Sequence, residues 1–350
     1  LPEKYHGLQD TEMRYRERYL DLVMNPESRK VFVARPKMVS AIRSFLDSRG
    51  FVEFETPILQ PVYGGAAAKP FETFHHSLNT KLYLRISDEL YLKRLLVAGF
   101  EKVYEFCKDF RNEGIDTRHN PEFSMLEFYS SYIDYSAVMD MLEEMLRSVV
   151  LAVTGSAILE YQGKKLDFGK KFKRISMVEA LLHVKIDVEK LSEEDLMRLV
   201  DNNNIEYRGT LSKGLAIELL FEHFVEETLI EPTFVIDHPK ESTPLCKCHR
   251  KNPEFVERLE LYIAGMEIAN GYSELNDPVV QKNLLEEQAK KRSLGDEEAH
   301  PMDEDFIKAL EYGMPPAGGL GLGIDRLAMI LTNQSSIRDV ILFPTLRPKQ

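Results

Sequence analysis

The sequence holds 350 residues, 43% of them hydrophobic and 29% charged, with a net charge of −12 and three cysteines. No apolar run reaches the roughly 18 residues of a membrane span, and the opening LPEKYHGLQD has neither the basic start nor the apolar stretch of a secretory signal. Cys107, Cys246 and Cys248 are too few and too scattered for a disulfide framework and suit a reducing cytoplasm.

Residues 11–24 and 28–49 read as helices, the second ending at Gly50. The start lacks an initiator Met, so the chain is expected to continue from an earlier segment, with residues 1–25 as linker and first helix. FVEFETPIL alternates as a strand until Pro57, YGGAAAKPF (63–71) is a loop of small residues, and KLYLRIS (81–87) alternates again. Ser87 or Asp88 is placed to cap a helix reaching about Ala98. KVYEFCKDFRN and PEFSMLEFYSSY read as antiparallel strands joined by a polar turn. A helix-rich insertion, about 134–228, follows, with Ser192 and Asp195 as a capping box. Sheet returns at PTFVIDHP and FVERLELYIAGMEIANGYSEL, then helices at about 279–293 and 303–312, and AGGLGLGIDR leads into a last helix.

Runs of strands with helices set around them, without βαβ alternation, predict an antiparallel α+β domain. The usual nucleotide-binding motifs then fail. GKKLDFGKK has five residues between its glycines where a P-loop has four, and Lys171 replaces Ser/Thr. GGLGLG lacks the GxGxxG spacing. In CKCHR (246–250), two thiols one residue apart, with no second pair elsewhere, make a poor zinc set.

Three clusters carry chemistry. In FRNEGIDTRHNPEFSMLEFY (110–129), counting by twos puts Phe123, Met125, Glu127 and Tyr129 on one face and Leu126 and Phe128 on the other. With Leu126 and Phe128 facing a core, Glu127 points into a cavity. Arg111 and Glu113 share a face of the preceding strand, and the turn adds Arg118, His119 and Asn120. One cross-strand salt bridge would explain a single pair; this many polar groups at a hairpin tip suit a phosphate chain. In ERLELYIAGMEIANGYSEL, Glu260 and Glu267 are candidates for a hard divalent cation such as Mg²⁺, while Asn270, Tyr272 and Glu274 follow at period two as a polar binding face. In GLGLGIDRLAMIL, glycines let a ligand approach the backbone, and Arg326 opens the helix. An acidic total fits a small-molecule site with a few held arginines better than a broad nucleic-acid grip, so any RNA contact is local or belongs to another part of the protein.

The first and third of these clusters resemble motifs 2 and 3 of the class II aminoacyl-tRNA synthetases, and RSFLDSRGFVEFETPIL resembles motif 1. The similarity runs from first residue to last and is to the subgroup of lysine, aspartate and asparagine enzymes; EIANGYSELNDP and LPEKYHGLQDTEMRYRERYLDL are similar to the lysyl members. The resemblance implies a six- or seven-stranded antiparallel sheet flanked by helices, in a homodimer joined around Pro57, over a catalytic domain at 26–350. It implies ATP bound by Arg111 (α-phosphate), Glu113 (adenine amino group), Arg118 and His119 (outer phosphates), Asn120, and an adenine sandwich of Phe123 and Arg326. It implies lysine held by Glu127, Tyr129 and Glu274 at the ε-ammonium and by Glu89 and the Gly65 backbone at the α-amino group, with Asn270 and Tyr272 completing the pocket. Glu260 and Glu267 would bind Mg²⁺. Two acids converging on one ammonium is also what desolvation physics demands.

Members of the family carry an N-terminal OB-type barrel that reads the anticodon of tRNA(Lys); this chain lacks one, so lysine activation with poor tRNA charging is expected. Lys69 stands where arginine is usual, and Met266 where a basic residue is usual. Two other readings compete: a barrel-free paralogue that passes lysine or β-lysine to a protein side chain, sharing Ala269, and a catalytically inactive scaffold. The linker LPEKYHGLQD favours the synthetase over the first, and intact Arg111, Glu260, Glu267 and Arg326 weigh against the second.

Overall fold

The computed structural model describes residues 8–207 and 210–348. Helices α1 (Thr11–Arg16) and α2 (Arg18–Met24) lead into the 22-residue α3 (Pro26–Asp47), which starts two residues before the predicted position because Pro26 takes the first helical turn. Strands β1 (Val52–Glu53), β2 (Leu59–Gln60), β3 (Glu72–His75) and β4 (Thr80–Leu84) precede helix α4 (Glu89–Val97) and the hairpin β5 (Lys102–Phe110) and β6 (Glu122–Ser131). Next come α5 (Tyr135–Thr154), β7 (Ile158–Tyr161), β8 (Lys164–Asp167), β9 (Lys173–Ser176), α6 (Met177–His183), α7 (Glu193–Asn202) and α8 (Lys213–Phe224). Strands β10 (Thr233–Pro239), β11 (Phe255–Ile263) and β12 (Met266–Ser273), helices α9 (Pro278–Ser293) and α10 (Glu304–Glu311), then β13 (Ala317–Gly323) and α11 (Ile324–Leu331) complete the order.

The main sheet has eight strands in the order β1-β5-β6-β13-β12-β11-β10-β9. Its six central strands pair antiparallel, as predicted, and the two edge strands, β1 and β9, pair parallel to their neighbours. The strand count exceeds the expected six or seven because β9 lies inside the stretch read as helix-rich. Within that stretch α5 packs into the main core, whereas α6, α7 and α8 enclose a second apolar cluster around Leu196, Leu220 and Phe221. Ser192 and Asp195 form the capping box of α7.

Period-two alternation decides what the sheet does. Leu126, Phe128, Leu259, Leu261, Leu320 and Leu322 lie on one face, each at most 1% exposed, packed with side chains of α3, α5 and α11. Burial of six such side chains on one layer fixes the register, since a one-residue slip would expose them all. The opposite face is therefore left to Glu127, Tyr129, Asn270 and Tyr272. A register shift between Leu261 and Tyr262 leaves one extra residue in β12, so Ile268 and Ala269 both pack in the core while Glu267 and Asn270 line the opposite face.

The two ends of the described chain are tied together. Arg18, 1% exposed, donates to the carbonyls of Leu342 (3.1 Å) and Arg338 (2.6 Å) and pairs with Asp21 (2.6 Å), while Arg16 donates to the Arg347 carbonyl (2.7 Å). Among the described residues, no helix is long and apolar enough to cross a membrane.

Candidate active site

A cavity of about 380 Å³ opens on the polar face of the sheet. Of the residues singled out from sequence, all line it except Glu260. Its two ends differ in chemistry.

One end is acidic. On β6, Glu127 accepts from the Ser87 hydroxyl (2.8 Å) and the Tyr129 phenol (2.7 Å). Asp88 occupies the N-cap position of α4 without capping it; Ser87 instead accepts from the Glu89 N–H (3.1 Å), which turns its hydroxyl proton toward Glu127. Glu89 and Glu274 converge from α4 and the end of β12 on the Lys93 ammonium, each at 2.5 Å. Lys93 was not anticipated: at i+4 from Glu89 it reads as a surface helix pair, yet it is fully buried. Burial alone would lower its pKa, but the charges of Glu274 and Glu89 outweigh that and raise it. Burial drives Glu89 up to about 8 and Glu274 up to about 7, with Lys93 opposing both shifts. His300, buried at the same end, is pushed down to about 4 by burial and by Lys93, so it is neutral.

Two glycines shape this end. Gly319 pairs with both Tyr129 and Tyr272 in the sheet, and a Cβ there would fall 2.2 Å from the Tyr129 ring and 2.8 Å from Glu274 Oε1. The space beside it is thus filled by the protein's own side chains, where sequence suggested an approaching ligand. Gly65 takes φ +88°, and a Cβ there would strike the Ser87 hydroxyl at 2.5 Å. Gly319→Ala is expected to destabilise the fold by about 1–3 kcal/mol through overpacking. Thermal unfolding checks this; a melting point within about a degree of the parent would refute the packing account.

The other end is basic. The Arg111 guanidinium lies 5.0 Å from the centre of the Phe123 ring, and its backbone N–H donates to Pro121 (2.9 Å), closing the base of the hairpin loop. Asp116 accepts from the N–H groups of Arg118 (2.6 Å) and His119 (2.7 Å) and from His119 Nδ1 (2.8 Å), which leaves Nε2 as the acceptor for Arg326 (3.0 Å). Arg326 also donates to the Glu267 carbonyl (2.7 Å). Arg118 lies 3.5 Å from Glu226 of the insertion, and Glu113 stands exposed at the loop. Asn120 is used structurally: its amide donates to Glu122 (2.6 Å) and accepts from the Thr345 N–H (3.3 Å), pinning the loop to the C-terminal segment.

Between the ends, Asn270 accepts from half-buried Arg258 (3.1 Å) and donates to the Tyr272 hydroxyl (3.4 Å). Arg258 shares a face with Glu260, as alternation predicts, and its Nη2 meets Glu260 at 2.5 Å. Tyr262 donates to the other Glu260 oxygen (2.7 Å), so both oxygens of Glu260 are engaged, while Glu267 is 40% exposed in its side chain and faces the cavity. Asp325 of α11 was also missed: it pairs with Arg35 (2.5 Å) and accepts from the Ser124 N–H (2.7 Å), docking β6 against the last helix. The two departures noted in the sequence have local partners: Lys69 pairs with Glu297 (2.6 Å), and Met266 is buried in the main core.

The family model for class II tRNA synthetases (D, K and N) matches residues 10–347. The chain belongs to that family. It is an ATP-dependent aminoacyl-tRNA synthetase. Curated relatives include the lysine–tRNA ligase of Moorella thermoacetica, 54% identical over all of this chain and 72% of the relative. That of Syntrophomonas wolfei is 53% identical over all of this chain and 71% of the relative. Lysine–tRNA ligase 2 of Methanosarcina mazei is 55% identical over 99% of this chain and 68% of its own length. This synthetase thus places an acidic recess and an arginine-lined channel on the polar face of one sheet.

Proposed function

We propose that the chain activates L-lysine with ATP, forming lysyl-adenylate and releasing pyrophosphate, and that the full-length protein passes the acyl group to tRNA(Lys). The observation that carries this is the acidic recess, where Glu127, Tyr129 and Glu274 surround a space fit for a cationic side chain. Desolvating an ammonium without opposed charge costs many kcal/mol; Lys93 is the single buried cation against Glu89, Glu127 and Glu274 here, whereas an aspartate pocket would need cations in excess. Relatives printed as lysine–tRNA ligases support the same reading.

In this reading a lysine carboxylate oxygen attacks the ATP α-phosphorus, a new P–O bond forms, and the bond to the β-phosphate oxygen breaks with pyrophosphate as the leaving group. Arg111 stabilises the charge on the α-phosphoryl oxygens, and Phe123 with Arg326 holds the base flat between ring and guanidinium. Arg118 and His119 at the loop tip meet the outer phosphates. Glu267 faces the cavity and Glu260 lies beside it across the β11–β12 pair, a two-carboxylate set that suits Mg²⁺ completed by phosphate oxygens. Mg²⁺ held there would offset phosphate charge; Arg258, now paired with Glu260, fixes that carboxylate's orientation.

Two further proposals extend the reading. The exposed apolar side chains of Val33, Val52, Ile58 and Leu59, flanking Pro57, fit a homodimer contact. The chain spans about 70% of the length of its relatives, and these 350 residues alone are expected to charge tRNA poorly while activating lysine well.

The test is ATP–pyrophosphate exchange with lysine, β-lysine, aspartate and asparagine in parallel. Exchange with lysine alone supports the proposal. A preference for β-lysine would move the chain to protein modification, and silence with all four from folded protein would leave a scaffold. A second expectation concerns pH. Glu274, raised to about 7, keeps a proton that the unfolded chain releases near its ordinary value, so its contribution to stability falls as pH rises from about 4.5 to 7. A bound ammonium needs the anion, so lysine affinity should strengthen between about pH 6 and about pH 8, with proton release on binding. Calorimetry in buffers of differing ionisation heat reads this directly; weaker binding at the higher pH would contradict it.

A further inference from the structure

Beneath the acidic recess lies a second cluster that the reaction does not use. Asp88, Cys107 and Asp109 are 0%, 4% and 0% exposed, and none of them lines the cavity. Cys107 and Asp109 are two apart on β5 and so share a face; Asp88 reaches them from the start of α4. The Cys107 sulfur lies 3.4 Å from Asp88 Oδ1 and 3.6 Å from Asp109 Oδ2, and one donor atom from each residue falls within 4.8 Å of the others.

Charge is out of balance here. Six carboxylates in this region (Asp88, Glu89, Glu105, Asp109, Glu127, Glu274) are at most 5% exposed, against two equally buried cations, Arg85 and Lys93. Lys93 serves Glu89 and Glu274. Arg85 serves Glu105 at 2.7 Å, relieving the like-charge pairing of Glu105 with Glu127 across the sheet, and comes no nearer than 3.5 Å to Asp109. Among the described residues, the other oxygens of these two carboxylates, Asp88 Oδ2 and Asp109 Oδ1, accept no hydrogen bond, the latter facing Arg85 at 3.5 Å. Buried carboxylate oxygens without donors carry a heavy desolvation penalty, which a proton or a cation relieves; burial pushes Asp88 up, and Asp109 up to about 7.

We propose that Asp88, Cys107 and Asp109 bind a zinc-class divalent cation through one thiolate and two carboxylates. Metal bonds of about 2.3 Å to sulfur and about 2.0 Å to oxygen give a tetrahedral S–O edge of about 3.5 Å, which the observed 3.4 and 3.6 Å bracket. The donor set is borderline-soft, unlike the all-carboxylate pair Glu260 and Glu267, so it prefers zinc or cobalt over magnesium. Three protein ligands leave one position for water. Binding displaces the Cys107 thiol proton to solvent.

The test loads the full chain with zinc in excess Mg²⁺, removes loose metal by desalting, and counts zinc per chain by mass spectrometry. Cobalt loading adds a thiolate-to-metal absorption band. Expected are one zinc per chain and that band, with affinity falling at least about tenfold in Cys107→Ser and in Asp109→Asn, while Cys248→Ser keeps both. No retained zinc in the folded parent chain would overturn the proposal. So would full retention in both Cys107→Ser and Asp109→Asn, or loss in Cys248→Ser, which would move the metal to CKCHR.

Discussion

Replacing Lys93 with methionine is expected to destabilise the fold by about 3–5 kcal/mol, because it leaves Glu89 and Glu274 buried without their shared cation. Methionine keeps most of the aliphatic stem, so the loss reports charge and not packing. The sign of its pH dependence follows from the carboxylates. Above their ordinary range, holding them protonated costs about 1.4 kcal/mol more per pH unit, up to the fixed cost of burying the anion. The defect should therefore be greater at about pH 8 than at about pH 5. The chain has no tryptophan, so urea unfolding followed by circular dichroism is the measurement. A loss under about 1 kcal/mol at both pH values, or a larger one at the lower pH, would refute the role assigned to Lys93.

Arg111→Ala is expected to slow lysine-dependent ATP–pyrophosphate exchange by about 10²–10³-fold, the usual consequence of removing one preorganised charge from a developing oxyanion. Arg111 is placed for this by its position over Phe123 and by the Arg111–Pro121 backbone bond, and its Nε is buried with no acceptor among the described residues. Lysine in its place would restore charge without the planar fork, so Arg111→Lys should recover little. Exchange within about tenfold of the parent, from folded Arg111→Ala, would show that the α-phosphate charge is met elsewhere.

Much of this site was legible from local periodicity. Counting by twos along β6 put Leu126 and Phe128 in the core and Glu127 and Tyr129 in the cavity, and that is where they lie. It worked because Leu126 and Phe128 are fully buried on one face of a central strand, so the pattern admits a single register. What escaped the reading depends on pairings distant in sequence. Strand β9 is a four-residue run, KRIS, with two cations and one apolar residue, that becomes a strand only by pairing with β10. Lys93 looks like half of a solvated helix pair until Glu274 arrives from the far side of the sheet. Asp88 reads as a helix cap, yet its carboxylate turns toward Cys107, a neighbour given by β5. Asn120 reads as a phosphate ligand by its company, while its hydrogen bonds tie the loop to Glu122 and Thr345.

The clasp made by Arg16 and Arg18 on the carbonyls of Arg338, Leu342 and Arg347 has a mechanical meaning. It joins the first helices to the last segment, so the chain between them, with the whole sheet and cavity, forms a closed circuit. Tension applied at the two ends passes through this clasp and along a few terminal residues before any strand is loaded. Pulling on a tethered molecule should give an initial small extension as the clasp parts, and only then a long one as the sheet unravels. The catalytic centre is thereby insulated from force transmitted by whatever is attached at either end.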